Sequence, residues 1–240
     1  MIKLLKDGIL LASDGDEFLT LNKFSVELRQ ELVFEWINGQ FWLHSDIPKE
    51  KPIGIEIDRE LTRHEEYFKK SSLQKELLAR AIGVKGPYRP KVLDLTAGML
   101  GDTLLLLSFG CEVWASERHP VIRFLIESAL KNAQHPRIQH FHFLGSDAEK
   151  VLETPPAVDV FFFDPMFEDA NEKTSPKKEM RIFRSLVGSD LDAEKVFTKA
   201  LSLKPKRLVV KRPKQSVYLS QKPAVEYIGK STRYDVYFSV

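Results

Sequence analysis

From Gly86 to the C-terminus, short apolar runs alternate with stretches of helical period, and this alternation restricts the fold more than any other feature. Strand-like runs are expected at Val92–Leu95, Glu112–Ser116, Ile138–Leu144, Val158–Phe163, Arg207–Lys211, Val225–Ile228 and Tyr234–Ser239. Helices are expected between them at Thr103–Phe109, from His119-Pro120 to about Asn132, up to Leu152, and at Ala193–Leu203. Strands separated by helices form parallel pairs, because a parallel connection needs a crossover long enough to hold a helix. Runs such as Val160-Phe161-Phe162-Phe163 lack polar alternation, as in strands covered on both faces. The expected fold is therefore α/β: a doubly wound, mostly parallel seven-stranded sheet of Rossmann-like type.

The first 58 residues read differently. Short runs at Phe18–Leu21, Leu32–Trp36 and Phe41–His44 are separated by Asp14-Gly15-Asp16 and Asn38-Gly39. Asn-Gly between apolar runs is a strong hairpin signal. Residues 1–58 are read as a small β-rich N-terminal subdomain, ending in an alternating strand at Ile53–Asp58, and residues 59–240 as the main domain with a leading helix. That helix runs from about Arg59 to Ile82, with an interruption at Ser71-Ser72, and Gly83 and Gly86-Pro87 stop it. The N-terminus lacks the apolar core of a signal peptide and no run is long enough to span a bilayer, so a cytoplasmic protein without membrane contact is expected. A lone cysteine, Cys111, excludes an internal disulfide and a cysteine-based zinc site. His140 and His142 share a strand face without an evident third ligand, so no metal site is expected.

Ligands of open α/β sheets bind beyond the carboxyl ends of the strands, and polar clusters recur at these ends. After the first strand of the sheet comes Asp94-Leu95-Thr96-Ala97-Gly98-Met99-Leu100-Gly101-Asp102, where glycine lets backbone approach a ligand. After the second comes Glu117-Arg118, an acid suited to the hydroxyls of an adenosine ribose. Ser146-Asp147 follows the third, in place for an adenine edge, and Asp164-Pro165-Met166-Phe167 follows the fourth. The first loop is neither G-x-G-x-x-G nor a phosphate-binding loop with lysine. A nucleoside cofactor without phosphates fits better, and S-adenosylmethionine is that cofactor. Pro165 restricts Asp164 to extended geometry, which leaves an acid, a stiff turn and the Phe167 ring beside a planar group.

With these residues the chain resembles the ribosomal small-subunit methyltransferase J family, which methylates N2 of a guanine in 16S rRNA. The resemblance runs from about Ile53 to the C-terminus. It is closest in Gly83–Tyr88, Asp94–Gly98, Glu117–Pro120, Asp164–Phe167, Lys177–Phe183 and Val209–Pro213. It implies cofactor contacts at Gly98, Gly101, Asp102, Glu117, Arg118, Ser146, Asp147 and Asp164, with Asp164, Pro165 and Phe167 holding the base amine. The family's first loop reads T-A-G-L-G-R-D; here leucine (Leu100) stands for the second glycine and Gly101 for the arginine. The glycine-rich segment before the domain is replaced by Lys69-Lys70-Ser71-Ser72-Leu73. The partner implied is 16S rRNA or the small ribosomal subunit. Lys177, Lys178, Arg181, Lys211 and Arg212 are the expected RNA contacts, the last two within an acid-free stretch from Lys195 to Val225. Two alternatives stand beside this reading: a methyltransferase acting on another nucleic-acid or protein amine, and a non-catalytic RNA-binding protein impaired in its cofactor loop at Leu100.

Overall fold

The computed structural model describes residues 2–6, 9–10, 32–44, 50–166 and 192–239. Within them the main sheet has seven strands: β5 (Lys91–Asp94), β6 (Glu112–Ala115), β7 (Phe141–Phe143), β8 (Val160–Phe163), β9 (Arg207–Pro213), β10 (Val225–Ile228) and β11 (Thr232–Tyr237). Their order is β10-β11-β9-β8-β5-β6-β7. Pairs from β9 through β7 are parallel, whereas β11 runs antiparallel to both β9 and β10. The order reverses between β5 and β8, the kind of switch point at which α/β sheets open a crevice.

Alternate side chains of each central strand enter two different cores. Val92, Val160, Phe162 and Val209 join one apolar cluster with Leu78, Ile82, Leu104, Ile122 and Leu125. Leu93, Phe161, Phe163, Leu208 and Val210 join the other with Val196 and Phe197. The helices supplying the first core are α2 (Leu77–Ile82), α3 (Gly101–Ser108) and α4 (Pro120–Leu130); α5 (Ala148–Val151) and α6 (Ala193–Ser202) cover the other face. Each fully buried Leu or Phe is worth about 1.5–3 kcal/mol relative to exposure, so these strands are held from both sides, as their unbroken apolar runs imply.

The leading helical segment is broken as expected: α1 (Ile57–Lys70), a 3₁₀ turn at Leu73–Lys75, then α2. Gly83 caps α2 at φ +89°, a conformation cheap only for glycine. Two expected strands are corrected. Ile53, Ile55 and Ile57 are alternately buried, but only Ile53 makes a bridge, to Leu43, and Ile57 already opens α1. The alternation buries three isoleucines without building a ladder. The strand foreseen at Ile138–Leu144 shrinks to β7, because Pro136 starts a 3₁₀ turn through His140.

The N-terminal sheet has the order β2-β1-β3-β4, with β1 (Ile2–Lys6), β2 (Ile9–Leu10), β3 (Leu32–Ile37) and β4 (Gln40–Leu43). The Asn-Gly turn between β3 and β4 has positive φ at both residues, as the hairpin signal requires. Strands β1 and β2 were not anticipated, and Phe18–Leu21 lies outside the described residues. Phe34 and Phe41 pack on Phe124 of α4, with ring centroids 5.0 and 5.2 Å apart, so this sheet shares the first core. Among the described residues no helix is long and apolar enough to cross a membrane.

Candidate active site

At the carboxyl ends of β5, β6 and β8 the ladder continues past the strands and ties the loops together. Leu95 N–H donates to Phe162 O (2.9 Å), Ser116 N–H to Asp94 O (2.8 Å) and Ala97 N–H to Ser116 O (2.9 Å). Asp94, 1% exposed, anchors the first loop. It accepts from Thr96 N–H at 3.0 Å and from the Thr103 hydroxyl at 2.6 Å. Burial lifts its carboxyl to about 7 against the pull of these two donors, with Asp102 and Asp164 adding to the rise.

The loop then turns sharply. Gly98 has φ +52° and Leu100 φ +63°, the left-handed region that costs a non-glycine residue about 1–2 kcal/mol. The position where the family pattern has glycine is thus one where the backbone favours it. The leucine side chain is 0% exposed and lies in the first core, so its burial offsets the strain. Apart from its chain neighbours and the backbone of α3, a Cβ placed on Gly101 would meet no atom within 4 Å, so there is open space over this glycine.

Glu117, 7% exposed, closes the loop from the β6 side. Its Oε2 accepts from Gly98 N–H (2.9 Å) and its Oε1 from His119 N–H (2.7 Å). Glu117 N–H donates to Ser146 O (3.0 Å), which brings the end of β7 to the same place. Asp147 caps α5, accepting from Lys150 N–H at 2.9 Å. Arg118 reaches outward to Asp192 (2.9 Å) at the start of α6.

On the other side of the loop a lysine joins two acids. Lys211 Nζ lies 2.6 Å from Asp102 Oδ2 and 2.9 Å from Asp164 Oδ2. Asp164 N–H donates to the Thr96 hydroxyl (2.8 Å), so the strand end is fixed through both backbone and side chain. Burial raises the Asp164 carboxyl above the usual range, Lys211 opposes this and Asp102 reinforces it. The side chain is 34% exposed, so solvent screens part of each effect. Burial works to lower the Lys211 ammonium, but the two carboxylates together outweigh it and hold the charge in place.

Gly98, Gly101, Asp102, Glu117, Ser146 and Asp164 are therefore gathered on one edge, as expected. Lys211 is gathered with them, but its ammonium is held by carboxylates. Arg212 is turned to the opposite face, 5% exposed, and donates to Val217 O at 2.8 Å. This corrects its assignment as an RNA contact: alternation along β9 puts successive side chains on opposite faces. Phe167, Lys177, Lys178 and Arg181 lie outside the described residues. The sequence names Asp94 and Thr96 only as members of the first loop, without the anchoring role seen here, and it points neither to the Thr103 hydroxyl nor to the Lys211 bridge. The signal for the bridge lay in strand register: Phe163 pairs with Val210, which makes Asp164 and Lys211 the next neighbours.

This arrangement fits an adenosine-bearing sulfonium. There is open space over Gly101, an acceptor carboxylate at Glu117, and an acidic cluster of Asp94, Asp102 and Asp164 that favours positive charge.

Known proteins agree. A family model described as "Putative SAM-dependent methyltransferase" matches residues 17–239. A ribosomal RNA small subunit methyltransferase J of Thioalkalivibrio sulfidiphilus is 42% identical over 175 residues, 69% of each chain. The protein of that name from Tolumonas auensis is 34% identical over 246 aligned residues, 95% of this chain and 96% of the relative. Among solved structures, a SAM-dependent methyltransferase of Neisseria gonorrhoeae superposes with a TM-score of 0.65 at 22% identity, covering 99% of this chain and 96% of the other, a likeness of fold.

Proposed function

The chain belongs to the ribosomal RNA small subunit methyltransferase J family, and we propose that it methylates N2 of a guanine in 16S rRNA with Asp164 as the group that receives the amine. S-adenosylmethionine, when bound, supplies an activated methyl group on a sulfonium. Glu117 with the Gly98–Asp102 loop would hold its adenosine end, and the acids around Asp94 and Asp102 would favour its charge. The difficulty then lies with the acceptor. The lone pair of a guanine N2 amine is delocalised into the ring, so the amine must be aligned and allowed to pyramidalise.

The observation that carries this reading is the fixation of Asp164 at the end of β8. Thr96 holds its backbone and Lys211 one carboxylate oxygen, beside the open space over Gly101. A carboxylate so held accepts a hydrogen bond from N2–H, and it takes the proton that leaves the amine as the nitrogen is methylated. Lys211 keeps it ionised between turnovers. Most of the acceleration comes from positioning two reactants, with no nucleophile of the enzyme needed. The base must leave its stack to reach the strand end, so unpaired or incompletely assembled RNA is the better substrate.

Calorimetric titration with S-adenosylmethionine tests the cofactor half: saturable binding is expected for the wild type and weakened binding for Glu117→Ala. Transfer of labelled methyl to 16S rRNA and to 30S particles tests the acceptor half. Asp164→Asn is expected to bind S-adenosylmethionine within a few-fold of wild type and to lose about 10²–10⁴ in turnover. Near-normal turnover by that variant would remove Asp164 from the mechanism.

A further inference from the structure

A cleft of about 330 Å³ lies beside the acid cluster and takes no part in the chemistry described above. Leu77 at the start of α2 and Leu105 of α3 give it an apolar lining, and Lys75, Glu76, Lys230 and Tyr234 line it as well. The topology puts it on the same edge as the site. The turn between β10 and β11 meets the carboxyl end of β9, where Thr232 pairs with Pro213 and Tyr234 with Lys211. Tyr234 is thus the wall common to cleft and cluster. Burial, then the Asp102 carboxylate, raises its phenol, as expected of a neighbour to that acid. Gly229 lets the turn close on Leu77, for a Cβ there would stand 2.9 Å from Leu77 Cδ1.

Two lysines from separate elements, Lys75 and Lys230, line the cleft, and the backbone N–H of a third, Lys214, donates to Ser231 O of the same turn at 2.8 Å. All three are exposed. The chemistry is that of a nucleotide site: apolar side chains for a flat base, an acceptor at Glu76 for a ribose hydroxyl or base amine, and exposed ammonium groups for phosphate oxygens.

Resting on the function proposed above, we infer that this cleft seats a nucleotide flanking the target guanosine, with Lys75 and Lys230 on its phosphates. It fixes the register of the RNA while the target base lies at Asp164.

The test uses a protein-free 16S rRNA fragment and the full chain. The double variant Lys75→Gln/Lys230→Gln is expected to lose about tenfold in RNA affinity. Its slope of log Kd against log salt should become shallower by about 1.4–1.8, the share of two phosphate contacts on RNA or DNA. Its affinity for S-adenosylmethionine should match wild type, which also reports that the fold is intact. Lys131→Gln removes an exposed charge at the end of α4 and should leave both quantities unchanged. Unaltered affinity and slope in the double variant would overturn the inference, as would an equal loss in Lys131→Gln. A defect on 30S particles with none on naked RNA would assign the cleft to a ribosomal protein instead and refute it. If the wild type neither binds nor methylates the RNA, the functional reading itself fails, which is a different result.

Discussion

Lys211 is the residue on which the acceptor side of the site turns. It bridges Asp102 of the cofactor loop and Asp164 of the acceptor strand, so one ammonium stabilises two carboxylates that would otherwise repel each other. Asp164 must be ionised to accept a hydrogen bond, and burial already raises its carboxyl. Turnover should therefore rise with pH along a limb placed above the ordinary carboxylate range. Lys211→Met removes the opposing charge, so that limb should move to higher pH by about one unit or more, and Lys211→Arg should restore part of the shift. A pH profile of single-turnover methyl transfer measures this, and a lower plateau with an unmoved limb would refute it. Asp94 makes a separate prediction about stability. Its carboxyl is lifted from 3.8 to about 7 in the folded state, so between these values the native protein holds more proton than the unfolded chain. Stability from this group is greatest at low pH and falls as pH rises through that window. Urea unfolding of wild type and Asp94→Asn from pH 4 to 8 should show a shallower decline in the variant.

At the level of elements, the loop from β5 into α3 balances strain against burial. Leu100 occupies a left-handed position at φ +63° while its side chain lies within the core. Replacing it with glycine relieves about 1–2 kcal/mol of backbone strain but removes a buried leucine worth about 2–5 kcal/mol. Leu100→Gly should therefore be less stable, by up to about 4 kcal/mol, even though glycine is the residue of the family pattern. Its urea midpoint should fall, and its affinity for S-adenosylmethionine should stay within about threefold, since the side chain is fully buried in the core. A more stable variant would mean that the strain is the larger quantity. The antiparallel strand β11 is the other element with consequences. It puts Tyr234 beside Lys211 and turns Arg233 inward to a bidentate pair with Asp235, at 2.6 and 2.9 Å. The basic segment before it is thereby divided between a structural face and an exposed rim.

The molecule as a whole has one continuous apolar cluster that joins the N-terminal sheet to the first face of the main sheet. We propose that residues 1–58 fold together with the rest, as a subdomain without independent stability. Phe34, fully buried and packed edge-on against Phe124, is the place to test it. Phe34→Ala should cost about 3–5 kcal/mol, and loss of secondary structure and of S-adenosylmethionine binding should coincide in one urea transition. Two separated transitions would show an independent N-terminal unit. Net charge is only +2, so RNA affinity on this reading comes from where the lysines stand.

The sequence alone determined the class of sheet, the breaks in its leading helix, the hairpin at Asn38-Gly39 and the edge on which the site assembles. Those features follow from local periodicity, from glycine and proline geometry, and from the rule that parallel strands present their carboxyl ends to one crevice. Only the tertiary structure decided which charges are used and which are buried. Lys211 and Arg212 are adjacent in sequence and alike in chemistry, yet one bridges the acids and the other is buried on the opposite face. The period of a strand is two, so a single residue's step along β9 exchanges one environment for the other, and strand pairing sets which residue takes which.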